Sequence, residues 1–66
     1  MTDAEMALWY EAGEKRSVNV KSLGMRLTAV VTDGPQGAAA AQPSGLWKLQ
    51  TDELGPVDLA ASDIGP

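Results

Sequence analysis

A chain of 66 residues without a single cysteine or histidine must fold without the two cross-links on which domains of this size most often rely. Disulfides are excluded, and so is a zinc site built on thiolate or imidazole. Any mechanism that needs an imidazole base or a thiol nucleophile goes with them. What remains is an apolar core, a partner, or both. The core is thin. Of the 29 residues behind the 44% hydrophobic fraction, ten are alanine, four of them in the run Ala38 to Ala41, and phenylalanine is absent. Leu, Ile and Val together number 13, close to the ~20% floor below which chains stop folding. The net charge of −4 is too small to expand the chain by self-repulsion. One small domain spanning 1–66 is therefore expected, with a folded surface of about 4,000 Å² and stability that leans on self-association or a larger protein partner.

Local signals divide the chain into four stretches. Residues 2–13 read as a short helix. Thr2 and Glu5 form a capping box, Asp3 and Glu5 suit the N-terminal end of the dipole, and Gly13 supplies the stop. Met6, Trp9, Tyr10 and Gly13 share one face at helical spacing. Residues 17–32 read as strands. Ser17 to Lys21 alternate apolar and polar, Leu23 and Gly24 interrupt, and Met25, Leu27, Ala29 and Val31 then fall on one face. Asp33-Gly34-Pro35 closes this stretch with turn chemistry. Residues 33–45, rich in alanine, glycine and proline, read as a long loop or arm. Residues 46–64 have two readings. A hairpin puts Trp47, Leu49 and Thr51 on one side and returns through Val57 to Ala60. A helix over 45–54 would be capped by Ser44 and stopped by Gly55-Pro56. The hairpin is preferred because no clean 3.6-residue stripe precedes Asp52. Ile64 is a large apolar residue near the tail, placed to act as a docking plug.

The expected architecture is α+β or mainly β: a short N-terminal helix on a small antiparallel sheet of three or four strands, or a partial barrel, with the loop or arm appended. The strand–loop–strand–turn–strand order of residues 25–64 resembles a Tudor- or KOW-type small barrel in element order. That resemblance implies a fold and assigns no residue a role.

Charge is segregated along the chain. Residues 1–14 carry four acids and no base, 15–26 carry Lys15, Arg16, Lys21 and Arg26 with no acid, and 27–66 carry five acids against Lys48 alone. A basic segment between acidic ones is suited either to gripping phosphate or to pairing with its own acidic neighbours. The acidic total and the lack of an aromatic residue within the segment favour pairing. Asp52-Glu53, Asp58 and Asp63 read as surface turn acids, because adjacent turn residues point apart and no calcium-loop spacing is present. The glycines form no phosphate-binding pattern. No catalytic set, metal site or cofactor is expected, so the chain is not read as an enzyme.

The expected function is that of a non-enzymatic structural or interaction subunit in a larger assembly. A phage virion component (decorating, cementing or joining larger subunits) is its most concrete form, and the alanine- and glycine-rich usage suits a GC-rich genome. Trp9, Tyr10, Trp47 and Ile64 are the candidate partner-binding anchors, and Lys15, Arg16, Lys21 and Arg26 the candidate basic patch. The alternatives are a small acidic regulatory or inhibitory binding protein and a nucleic-acid-binding small barrel. No apolar run is long enough for a membrane span and no signal-peptide pattern opens the chain, so a cytoplasmic or virion location is expected.

Overall fold

A computed structural model describes residues 1–35 and 45–66. The alanine-rich run, and with it most of the expected loop or arm, lies outside the described residues. Helix α1 (Asp3–Ala12) is followed by strands β1 (Arg16–Val20), β2 (Met25–Asp33), β3 (Leu46–Thr51) and β4 (Gly55–Ala60), a single 3-10 turn over Ala61–Asp63, and β5 (Ile64–Gly65). The fold is α+β. The sheet has five strands rather than three or four, because the tail adds a strand of its own beside β1.

Helix α1 starts and stops where its caps place it. The Glu5 backbone N–H donates to Thr2 Oγ1 at 3.1 Å and the Thr2 N–H donates to Glu5 Oε1 at 2.7 Å, which satisfies two orphan donors reciprocally. Gly13 takes the left-handed conformation, φ 65°, and its N–H donates to the Trp9 and Tyr10 carbonyls. The Thr2 main-chain N–H, and after it the Thr2 hydroxyl, hold the Glu5 carboxyl below its ordinary value of 4.5, since a donor to the carboxylate favours the ionised form. A depressed carboxyl stabilises the fold above its unfolded pKa, and the contribution is lost as pH falls through the folded value. Thr2→Ala keeps the main-chain N–H and removes the hydroxyl, so it is expected to raise the Glu5 titration only part of the way to the ordinary carboxylate range. A carboxyl-detected NMR titration measures this directly, and an unmoved Glu5 midpoint would show that the Thr2 hydroxyl contributes nothing.

Every strand pairing is antiparallel, in the order β4-β3-β2-β1-β5. Strand β2 serves two ladders in succession. Its Met25–Ala29 half pairs with β1 and its Ala29–Asp33 half with β3, so Ala29 is opposite both Arg16 and Thr51. Connectivity then forces the sheet to curl. Strands β4 and β5 stand at opposite edges, ~19 Å apart if five strands lay flat at ~4.8 Å spacing. Only the three residues Ala61–Asp63 join them, and a 3-10 turn rises just ~2 Å per residue. The edges can meet that connection only if the sheet wraps toward a partial barrel, with β4 and β5 left unpaired with each other.

The interior of the curl is the core. Alternation sends Val18 and Val20, then Leu27, Ala29 and Val31, then Trp47 and Leu49 inward, and Met6 and Trp9 close the open side from α1. Thr51 is buried in the same row, satisfied by donating to the Gly55 carbonyl and accepting from the Leu54 N–H. The 45–54 helix alternative is thereby replaced by the β3–β4 hairpin. The total exposed surface is 3794 Å², in line with size scaling. The 3-10 turn is anchored on both sides. The Lys21 N–H donates to the Asp63 carbonyl, the Asp63 carboxylate accepts from the Ser22 N–H and hydroxyl, and the Met1 ammonium donates to the Ala61 and Ile64 carbonyls.

Candidate functional site

The aromatic and aliphatic residues expected as partner anchors separate into two groups. Trp9 is 1% exposed, Ile64 fully buried and Trp47 6% exposed. The Trp9 indole N–H donates to the Glu14 carbonyl at 2.7 Å, and that of Trp47 to Asp3 Oδ1 at 3.0 Å. All three side chains are spent on the interior and present almost no surface to a partner. In a chain without phenylalanine the two tryptophans are the largest apolar groups available, so burying them yields more than burying any other side chain. Ile64 is a plug for its own chain's core. Tyr10 alone of the four is exposed, at 41%, because it lies beside the Met6–Trp9 stripe rather than within it.

The four basic residues do not form one patch. Lys15 Nζ pairs with Asp52 at 3.0 Å and Arg16 with Glu14 at 2.9 Å, and the Arg16 guanidinium sits 5.9 Å from the centre of the Trp9 ring. These exposed pairs add little stability, but they neutralise half of the segment. Lys21 contributes its main-chain N–H to Asp63. Arg26 Nε donates to Ser17 Oγ at 3.0 Å and its terminal nitrogen to the Pro66 carbonyl at 3.5 Å. No Asp or Glu side chain among the described residues forms an ion pair with Arg26.

The acids are equally dispersed. Asp52 is held by Lys15, and its N–H donates to the Thr28 carbonyl. Glu53 accepts from the Thr28 N–H at 2.9 Å. The β3–β4 turn thus caps the stretch of β2 that β3 does not reach. No group of three His, Cys, Asp or Glu side chains among the described residues is placed to hold a metal ion. No helix among them is long and apolar enough to cross a membrane.

What the fold leaves open is main chain. Strand β4 ends the sheet on one side. On the other, β5 covers only Asn19 and Val20 of β1, with Gly65 and Ile64 as their partners. The Lys21 N–H donates to the Asp63 carbonyl just before β5, so by alternation the main-chain groups of Asn19 and Ser17 point the same way. Beside them lies a groove of about 470 Å³ lined by Met1, Glu5, Arg16, Ser17, Val18 and Pro66. The sequence marks Ser17-Val18-Asn19-Val20-Lys21 as a half-buried strand but not its pairing with a two-residue strand from the far end of the chain. The alternating polar positions Ser17, Asn19 and Lys21 carry the only signal. Comparison with protein families, with curated proteins and with solved structures finds no match, so the functional argument rests on this geometry.

Proposed function

We propose that the chain is a non-enzymatic structural and interaction subunit that joins larger proteins through the free edges of its sheet. One observation supports this above the others: β4 stands at an edge of the sheet with no further strand beside it among the described residues, on a scaffold otherwise tightly tied to itself. A free edge is a template for strand addition, and proteins that do not use such an edge usually cover, charge or twist it away. The thin core adds weight, since a domain of this size gains stability by being held. A role as a decorating, cementing or joining component of a virion is the concrete form in which such a subunit fits the composition. The pairing of Lys15 with Asp52 and of Arg16 with Glu14 weighs against a nucleic-acid module, which needs those charges for phosphate.

The test is sedimentation of native particles from the source cells, followed with an antibody against the untagged chain. The subunit reading expects the chain in a fast-sedimenting fraction at a fixed ratio to larger proteins. Recovery entirely as free 6.9 kDa chain in every growth condition would rule it out.

A further inference from the structure

The turn that closes β2 carries chemistry that needs no partner. Asp33-Gly34 is the single place in the chain where an aspartate precedes a glycine; the other aspartates precede Ala4, Glu53, Leu59 and Ile64. An aspartyl carboxyl can react with the main-chain nitrogen of the residue that follows it, and a side chain on that residue stands in the way. Glycine has none.

The fold calls for this pair. A Cβ at position 34 would meet the Trp47 ring at 2.4 and 2.6 Å, so the close approach of the turn to the indole requires glycine. The Gly34 N–H donates to Asp33 Oδ1 at 2.9 Å, so the carboxylate is what satisfies that nitrogen. The same bond keeps the nitrogen within reach of Asp33 Cγ, since bonds form from separations of roughly 3–3.5 Å. Asp33 is half-buried, and a groove of about 440 Å³ lined by Asp3, Ala4, Ala7, Pro35, Gly45 and Trp47 opens beside the turn and gives water access to it.

We infer that Asp33-Gly34 is a site of spontaneous main-chain modification, which forms a succinimide and then isoaspartate. The Gly34 nitrogen bonds to Asp33 Cγ. Its proton, one carboxylate oxygen and one proton from solvent leave as water, and a five-membered ring closes. Water then adds to one of the two ring carbonyls. Breaking the bond from nitrogen to Cγ restores aspartate. Breaking the bond from nitrogen to the Asp33 main-chain carbon leaves isoaspartate, with the chain running through Cβ and Cγ. One water is lost and one regained, and nothing is oxidised or reduced.

The product does not fit where the reactant did. Isoaspartate adds one carbon to the main chain immediately before Gly34, at the point where the turn meets the Trp47 ring. Well-packed interiors accommodate an extra methylene poorly. The ring is tethered through its N–H to Asp3 Oδ1, so a displaced turn loosens the tie between β3 and α1.

The native 66-residue chain is incubated at neutral pH and physiological temperature beside an Asp33→Glu variant, in which closure needs a larger ring. Intact mass reports the succinimide as the loss of one water. An isoaspartyl carboxyl methyltransferase with labelled S-adenosylmethionine reports isoaspartate, and the tryptic peptide spanning 27–48 locates it. Isoaspartate is expected in that peptide about tenfold faster than at Asp3, Asp52, Asp58 or Asp63, and not in Asp33→Glu. The Trp47 indole N–H resonance should move to a second position in step with the modification, while that of Trp9 stays. A native chain that remains unmodified while the same chain in urea isomerises would overturn the inference, because the fold would then protect the pair. So would equal rates at the other aspartates, or methyl acceptance that survives in Asp33→Glu. A Trp47 signal that ignores the modification would overturn the consequence assigned to it.

Discussion

Trp9→Ala is expected to remove a large share of the chain's stability and to bring its urea midpoint far below the parent's. The side chain is 1% exposed and is the largest fully buried one. Truncating a buried tryptophan costs about 3–5 kcal/mol in lost transfer energy and cavity, and the Glu14 carbonyl would lose the indole donor that reaches it at 2.7 Å. Against this, a domain of 66 residues at ~0.05–0.15 kcal/mol per residue has about 3–10 kcal/mol in all. One substitution is thus comparable to the whole. Tyr10→Ala, one position along the same helix, should change stability by no more than about 0.5 kcal/mol, because the ring is already at the surface. Urea unfolding of both variants beside the parent, with amide dispersion as the check on folding, makes the comparison. A Trp9→Ala chain that unfolds at the parent's midpoint would mean that the core is not organised around α1.

That contrast also marks what could be read before the structure. The helix was legible because its signals are local: Thr2, Glu5 and Gly13 act within a turn of where they stand. The strands were legible through parity, and the hairpin was preferred to a helix over 45–54 for the same reason, with Trp47, Leu49 and Thr51 sharing the buried side. Tyr10 was grouped with Met6 and Trp9, yet a ten-residue helix lying on a curved sheet buries a stripe too narrow to include it. Met25, placed in the inward row with Leu27, is 37% exposed because it stands at the turn end of β2, beyond the cover of the helix.

The fifth strand escaped because its cause is not local. Two residues carry no periodicity, and Ile64 becomes a strand only by meeting Val20 from the other end of the chain. Of the segregated charges, Lys15 meets Asp52 and Arg16 meets Glu14, while Arg26 is held by Ser17 and Pro66.

Gly34→Ala is the second substitution expected to act strongly, and its mechanism is the opposite of a cavity. A methyl group built at Gly34 would lie 2.4 and 2.6 Å from two carbons of the Trp47 ring, well inside van der Waals contact. The backbone at Gly34 cannot easily yield, since its N–H donates to Asp33 Oδ1 at 2.9 Å. Nor can the indole retreat without releasing the bond from its N–H to Asp3 Oδ1, which ties β3 to the start of α1. Overpacking of this kind costs about 1–3 kcal/mol, a large share of a small total. The clash makes a sharper claim than a stability loss. In a Trp47→Leu background the ring is gone, and Gly34→Ala should become neutral or gain about 0.4–1 kcal/mol by restricting the unfolded chain. A double-mutant cycle in urea measures that coupling. If alanine costs the same with and without the indole, the close approach of this turn to Trp47 is not what requires glycine there.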